Sequence, residues 1–174
     1  MRITNVVCSA ELRFPLDLRR LCQRLGNVRY DPRRFSGLIW KHPIIGGNCL
    51  VFSNGKINCN GKASVFKDGV RRLRRYARRL QKAGYPVRLS NVRTLTASAY
   101  HDIGERLDLL AFVRERGSIY EPELFPGVQF VVRGVTFRCF HTGKVIITGI
   151  KTKTQITNIV EPTLLELSLY TECA

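Results

Sequence analysis

The chain has 174 residues, of which 44% are hydrophobic and 24% charged, a composition that excludes a disordered or low-complexity protein. No apolar run approaches the ~18–20 residues of a membrane span, and the N-terminus lacks the apolar core of a signal peptide. Lys and Arg outnumber Asp and Glu by 29 to 13.

This positive charge lies in the first half of the chain. Residues 1–90 hold 20 basic and 4 acidic side chains, whereas residues 91–174 hold 9 of each. So uneven a surplus favours a polyanionic partner. Nucleic acid is the first candidate, and an anionic membrane or an acidic protein is the alternative.

Residues 1–90 predict a mixed α and β pattern that ends in a long helix. The predicted elements are a strand over 3–10, a short helix over 16–25, hairpin strands over 37–41, 48–52 and 56–60, and a helix over 67–82. In the long helix an apolar stripe is surrounded by Arg and Lys. Gly84, followed by Pro86, is expected to end it.

Residues 91–174 predict the same order of elements. These are a strand over 91–100, a helix over 107–116, strands over 128–133, 135–140 and 144–148, and a final helix from about 156 to 167. Pro162 should start or kink the final helix, because proline lacks the backbone N–H that a helix interior needs.

Four motifs recur in the same order with a period near 90. YDPRRFSG (30–37) recurs as YEPELFPG (120–127), FSNGK (52–56) as FHTGK (140–144), Gly61 as Gly149, and LDL (16–18) as LDL (107–109). We interpret the chain as a tandem duplication of residues 1–90 and 91–174, whose copies share one sheet with helices on one side.

The predicted sheet has apolar residues at both parities of its strands, so we expect both faces to be hydrophobic. These residues are Val7, Ile57, Cys59, Val145 and Ile147, with Val51 and Ile146 as their alternates. A sheet face that is apolar and free of helices is a candidate binding surface.

Two pairs of phenylalanines flank the turns of this sheet, Phe35 with Phe52 and Phe125 with Phe140. A single Phe is most often a core residue. Their recurrence beside Gly and Lys instead favours aromatic wedges, which minor-groove proteins insert between base steps.

The cysteines and histidines carry no sign of catalysis or metal binding. Cys8, Cys22, Cys49, Cys59, Cys139 and Cys173 form no C-x-x-C pair and have no His at zinc-ligand spacing, so reduced thiols are expected. The three histidines lack a partner for nucleophilic catalysis, and no phosphate-binding or dinucleotide motif is present. An enzyme or a cofactor is therefore not expected.

The repeated motifs resemble the TATA-binding protein family over essentially the whole chain. YDPRRF, FSNGK and RYARRLQKAGYP resemble its first repeat and first long helix, and YEPELFPG and TGKVIITG its second repeat. The resemblance implies an α+β saddle: a ten-stranded antiparallel sheet with pseudo-two-fold symmetry, four helices on the convex side and DNA under the concave side. It also implies a nuclear protein, and because it begins almost at Met1, no N-terminal extension is expected.

The resemblance assigns DNA-binding roles to particular residues. The family's intercalating phenylalanines map to Phe35, Phe52, Phe125 and Phe140. The residues on the floor of the minor groove map to Asn5 and Thr96, Val7 and Ser98, Asn58 and Asn60, and Ile146 and Thr148. Phosphate contacts are expected from Arg34, Lys41, Lys56 and Lys144, although any one of these is equally well explained as a solvated charge.

Asn58, Asn60 and Ser98 depart from the small apolar or Thr residues usual at the groove floor, and Thr96 lacks the amide of its mate Asn5. An apolar floor rejects guanine by leaving its amino group unpaired, whereas an asparagine carbonyl can accept it. We therefore predict weakened A·T selectivity under the first copy, with bending retained.

The resemblance also implies protein partners. Glu121, Glu123 and Leu124 match the family residues that dock the TFIIB-type factor. The edge for TFIIA, around 30–33 and 43–48, departs from the family pattern, so that interaction stays open. TBP-associated factors are further candidates.

The basic helix presents a surface that lies on the convex side in the resembled fold. This basic helix surface consists of Arg71, Arg72, Arg75, Arg78, Arg79 and Lys82. An acidic protein is its expected partner, and additional wrapped DNA or a merely solvated face are the alternatives.

Two other functions within the family stay open. The start of the chain, ITNVVC (3–8), resembles TATA-binding-like factors of TATA-less promoters, which act chiefly as protein-interaction hubs. A competitor that binds DNA or TFIIB unproductively is a third possibility. The four phenylalanines favour a protein that binds and bends promoter DNA, since a hub has no evident use for them.

Overall fold

The computed structural model describes residues 1–117 and 120–172. The chain forms two compact units, a first unit of Asn5–Leu95 and a second unit of Met1–Thr4 with Thr96–Ala174. Two long strands, β1 (Arg2–Glu11) and β6 (Ser90–Asp102), supply residues to both units.

The first unit is an antiparallel sheet with a long helix. After β1 its elements are α1 (Leu18–Arg24), β2 (Val28–Arg29), β3 (Leu38–Trp40), β4 (Asn48–Val51), β5 (Lys56–Lys62) and α2 (Phe66–Lys82). The strand order is β2-β3-β4-β5-β1. Residue pairing joins Val7 to Asn60 and Leu50 to Asn58, which sets the register of the candidate site.

The ends of α2 follow from its sequence. The Asp68 carboxylate accepts hydrogen bonds from the backbone N–H groups of Ser64 and Val65 at 2.9 and 3.1 Å, and so caps the first turn. After the helix, Gly84 adopts a left-handed conformation with φ +86°, as predicted for a glycine that ends a helix.

The second unit repeats this arrangement from β6. Its further elements are α3 (Leu109–Arg116), β7 (Gly127–Val132), β8 (Val135–Phe140), β9 (Lys144–Ile150), α4 (Lys153–Gln155), a π-helical turn (Ile156–Val160), α5 (Glu161–Leu167) and a 3-10 turn (Ser168–Tyr170). The strand order is β6-β9-β8-β7. The π-helical turn directly precedes Pro162, where the missing N–H and the proline ring disturb the regular ladder.

The strands and helices agree with the predicted elements to within a few residues, with one addition. The short strand β2 was not predicted. Its counterpart one period later falls at Ser118 and Ile119, outside the described residues. The described part of the chain holds nine strands.

Helices cover one face of the strands in each unit. In the first unit, a Cβ added to Gly69 of α2 would lie 2.5 Å from Cys8 Sγ, so α2 lies directly on β1. The ring of Tyr76 packs 4.9 Å from that of Trp40, and burial raises the pKa of Tyr76 to about 12. In the second unit, Phe112 of α3 packs 5.1 Å from Phe130 of β7.

Apolar residues lie on both faces, but the predicted division of residues between the faces was wrong. The helix-covered face holds Val51, Ile57, Cys59, Val145 and Ile147. Val51 was placed on the opposite face from Ile57, but the two are direct cross-strand partners and therefore point the same way. Only Val7 and Ile146 of the predicted set lie on the other face.

The described cysteines carry free thiols. Cys8, Cys49, Cys59 and Cys139 are buried, Cys22 is half-buried, and Cys173 lies outside the described residues. Burial raises the pKa of the Cys139 thiol to about 12, so it is protonated near neutral pH.

Over the described residues, no helix has the length and apolarity needed to cross a membrane.

Candidate nucleic-acid interface

The four predicted phenylalanines form two matching pairs, one in each unit. The ring centroids of Phe35 and Phe52 are 5.8 Å apart, and those of Phe125 and Phe140 are also 5.8 Å apart. Phe35 is 38% exposed and Phe125 is 40% exposed. Each unit therefore presents an accessible pair of aromatic rings, which we call a wedge pair.

The same turns hold the wedge pairs in both units. The backbone N–H of Phe35 donates to Asp31 O at 3.0 Å, and that of Phe125 donates to Glu121 O at 3.0 Å. Behind the second ring of each pair, the N–H of Gly55 donates to Phe52 O at 3.0 Å and that of Gly143 to Phe140 O at 2.9 Å. The repeated motifs thus encode the backbone around each ring as well as the ring itself.

Two glycines in the repeated motifs form the seats of the wedge pairs. A Cβ on Gly37 would lie 2.7 Å from Phe35 Cε1 and 2.9 Å from Phe52 Cε1. A Cβ on Gly127 would lie 2.7 Å from Cys139 O and 3.1 Å from Phe140 Cδ1. The sequence analysis assigned no role to these glycines, although their recurrence at the end of the motif was the signal.

The predicted groove-floor residues lie on the face of each unit that its helices leave uncovered, which we call the open face. They alternate along the strands with buried residues, and all are half-buried except Ile146, which is 38% exposed. In the first unit they are Asn5, Val7, Asn58 and Asn60, and in the second Thr96, Ser98, Ile146 and Thr148.

A row of four cross-strand neighbours crosses each open face next to the wedge pair. In the first unit the row is Ile39, Leu50, Asn58 and Ser9. In the second unit the row is Gln129, Arg138, Ile146 and Tyr100. The sequence analysis did not single out Arg138 or Gln129. Pairing of β7 with β8 places them side by side, and the Arg138 Nε–H donates to Gln129 Oε1 at 2.7 Å.

The side chains predicted to contact phosphates are exposed in the structure: Arg34, Lys41, Lys56 and Lys144. Arg34 also has an internal partner, because its Nε lies 3.6 Å from Asp31 Oδ2. This exposed ion pair contributes little by itself. A phosphate at this place would have to compete with Asp31 for the guanidinium.

The basic helix surface needs one correction. Arg72 is half-buried and its Nη2 donates to Lys62 O at 2.6 Å, so it fastens α2 to β5. A Cβ on Gly61 would lie 2.9 Å from the Arg72 guanidinium carbon, which shows how closely the strand approaches. The other members of the predicted surface are exposed: Arg71, Arg75, Arg78, Arg79 and Lys82.

The loop before β4 packs beside this helix. Arg75 Nη2 donates to Ile44 O at 3.1 Å, and the N–H groups of Ile44 and Ile45 point to Nδ1 of His42. Slight burial, and then the charges of Arg79 and Arg75, lower the pKa of His42. The neutral imidazole that this favours can accept the two backbone N–H groups.

The residues predicted to dock a TFIIB-type factor lie in the turn that carries Phe125. Glu121, Glu123 and Leu124 are exposed, and Leu124 has 81% of its surface accessible.

In the described residues, no group of three His, Cys, Asp or Glu side chains is arranged to hold a metal ion.

Comparison with known proteins identifies the family. The family model for transcription factor TFIID, or TATA-binding protein, matches residues 1–83 and 90–169. The rat protein TATA box-binding protein-like 2 is 37% identical over 89% of this chain, which covers 46% of that protein. TATA-box-binding protein 2 of Entamoeba histolytica is 34% identical over 86% of this chain and 72% of its own length.

The fold agrees with this result. The TATA-binding protein of Methanococcus jannaschii superposes with a TM-score of 0.85, at 28% identity, over 97% of this chain and 98% of that chain. The match confirms the predicted fold class, the α+β fold of these proteins. The chain spans about half the length of the rat relative and of its mouse counterpart. By sequence and by fold, the chain belongs to the family of TATA-binding transcription factors.

Proposed function

We propose that this protein binds promoter DNA through the minor groove and bends it with its two wedge pairs. The observation that carries the proposal is the match between the pairs: both have a ring separation of 5.8 Å and both are seated on a glycine. An exposed aromatic ring is costly unless it serves a contact. Two similar pairs, each with one exposed and one half-buried ring, in a strongly basic chain are suited to prying open two base steps.

The wedge pairs act by replacing base stacking. Inserting a pair into a base step costs roughly a few kcal/mol of unstacking, which the additional protein–DNA contact on the bent duplex offsets. The rings pack directly against Gly37 and Gly127. A base pair that presses on a ring therefore pushes it against backbone atoms and not into an empty space. Packing against the glycines restricts the rings before DNA arrives, which lowers the ordering entropy lost on binding.

The open face of each unit supplies contacts to the base edges beside its wedge pair. Lys56 and Lys144, each placed in the hairpin after a wedge residue, neutralise phosphates. Each such contact steepens the fall of affinity with salt. A chain with a net charge of +16 should therefore bind DNA with a strong salt dependence.

A recruitment function follows from the turn of Glu121, Glu123 and Leu124. Its exposed apolar side chain, which follows two glutamates in the sequence, is suited to docking a TFIIB-type factor once DNA is bound. General transcription factors are accordingly the proposed protein partners, and the nucleus is the proposed location. TFIIA and TBP-associated factors are further candidate partners, and an acidic protein is the candidate for the exposed part of the basic helix surface.

The test is a fluorescence measurement of DNA bending with end-labelled duplexes over a salt series. We expect the protein to bend a TATA duplex, and the Phe125→Ala/Phe140→Ala and Phe35→Ala/Phe52→Ala variants each to lose most of the bend. Leu169→Ala is the matched control, because Leu169 is 81% exposed and lies outside the wedges. No bending at any salt concentration would overturn the proposal and favour a protein-interaction hub.

Recruitment is tested separately by a mobility shift with a TFIIB-type factor and prebent DNA. Leu124→Ala should weaken the ternary complex and leave binary DNA binding unchanged. An equal ternary complex with Leu124→Ala would contradict the assignment of this turn.

A further inference from the structure

We infer that Arg138, oriented by Gln129, reads base edges in the minor groove under the second unit, as a hydrogen-bond donor. The inference rests on the proposed function and adds a residue that determines specificity to it.

Position is the first argument. Arg138 lies two residues before Phe140 on β8, on the same side of the strand, because side chains alternate and Cys139 between them is buried. Two residues along a strand span roughly 7 Å. Since bases stack at about 3.4 Å per step, Arg138 lies within about two base steps of the one that the wedge opens.

Orientation is the second argument. An arginine side chain is long and flexible, yet the Arg138 Nε–H is held by Gln129 Oε1 at 2.7 Å. That bond uses one of the five N–H donors of the guanidinium and leaves the remaining four on its terminal nitrogens. In the described part of the chain Arg138 forms no ion pair, so these donors are not neutralised by a carboxylate.

Chemistry is the third argument. The floor of the minor groove presents acceptors, N3 of purines and O2 of pyrimidines, while guanine adds an N2 amino donor. The free donors of Arg138 match these acceptors and oppose that amino group. Ile146 beside Arg138 offers the amino group no acceptor either. The row of the second unit therefore favours A·T pairs.

The first unit carries the opposite chemistry at the equivalent positions. Leu50 stands where the second unit has Arg138, and Asn58 stands where it has Ile146. The amide oxygen of Asn58 can accept from a guanine amino group, so the first row tolerates G·C. The row of the second unit therefore favours A·T pairs more strongly than the row of the first unit.

Modified bases separate base reading from a phosphate contact. We would measure binding to duplexes with 3-deazaadenine, which lacks the N3 acceptor, one to three base pairs from an opened step. Wild type should lose about 5- to 150-fold at one of these positions, the range for 1–3 kcal/mol of discrimination. Arg138→Leu should bind the unmodified duplex more weakly and show no further loss with the modified base. Gln129→Ile should show an intermediate loss.

The control for the loss of one charge is Arg74→Leu, an exposed residue of α2 outside the open face. This variant should keep the full sensitivity to 3-deazaadenine. Equal sensitivity of Arg138→Leu and wild type would overturn the inference, as would a uniform loss across all duplexes with a salt slope lowered by about one, the sign of a phosphate contact. If wild type binds and bends no duplex, the proposed function itself fails.

Discussion

The two units keep the same wedge pairs and turns and differ in the open face beside them. The ring separations of both wedge pairs and the hydrogen bonds of both turns agree to within 0.1 Å. The rows beside the wedges have diverged completely, from Ile39, Leu50, Asn58 and Ser9 to Gln129, Arg138, Ile146 and Tyr100.

This difference shows where a duplicated fold is free to change. Buried positions also differ between the units, as Cys59 and its counterpart Ile147 show, but each must fill the volume that its own neighbours leave. A side chain on an open face has no such constraint and can take up a polar or charged character. We infer that the two halves of this protein share a mechanism for bending and differ in base preference.

The largest effect is expected from substitution of the two seat glycines, Gly127 and Gly37. Gly127→Ala should lower the free energy of unfolding by about 1–3 kcal/mol, because its Cβ meets the fixed backbone oxygen of Cys139. Gly37→Ala should cost less stability, since its Cβ meets only the ends of two rings, and should instead reduce the bend. Chemical denaturation and the bending assay measure the two effects.

Gly26→Ala is the control for these variants, because a Cβ there has no neighbour within 4 Å. It should change neither stability nor bending. Equal unfolding free energies for Gly127→Ala and Gly26→Ala would show that β7 and β8 can shift to admit a methyl group.

A second variant removes the asparagine amides that distinguish the first open face from the second. Asn58→Val/Asn60→Val takes two amide oxygens from the first open face, so a G·C pair under this unit would lose its acceptors. We expect the penalty for such a pair to rise about tenfold, within the ~1–3 kcal/mol typical of one mismatched base pair. Competition binding with duplexes substituted in either half gives the ratio.

The reciprocal change is Ile146→Asn in the second unit, which should relax discrimination there. If neither variant alters the ratio of affinities, base preference in this protein does not reside in the rows.

The smallest expected effect concerns the N-terminal caps of α2 and α4. Asp68 caps α2 with a carboxylate, whereas Thr152 and Gln155 cap α4 with neutral groups. Hydrogen bonds from Ser64 and then Val65 lower the pKa of Asp68 below its usual 3.8. A lowered folded-state pKa stabilises the protein above the ordinary pKa, and this contribution is lost as the pH falls through the folded value.

Asp68→Asn should therefore cost at most about 1 kcal/mol near neutral pH, and the difference from wild type should shrink in acid. Thr152→Ala should cost a similar amount that does not vary over the same range. Urea unfolding at several pH values checks both, and a pH-independent Asp68→Asn difference would contradict the role of the charge.

Much of the site could be predicted from the sequence because the duplication displays it twice. Phe35, Phe52, Phe125 and Phe140 recur in order within motifs, and their recurrence distinguishes them from ordinary core residues. Alternation along β5 and β9 likewise separates Asn58 and Ile146 from their buried neighbours. Periodic patterns of this kind predict which element a residue belongs to and which face of that element its side chain occupies.

What the sequence by itself determined is therefore the order of the elements, the family and the wedge residues, all of which depend on local pattern and repetition. Only the tertiary structure decided three other roles. Gly37 and Gly127 pack against the rings, Arg72 joins α2 to β5 through a hydrogen bond, and Arg138 donates a hydrogen bond to Gln129. These roles depend on contacts between atoms of segments that are distant in the sequence. Strand register and helix packing determine those contacts, and no single stretch of sequence specifies them.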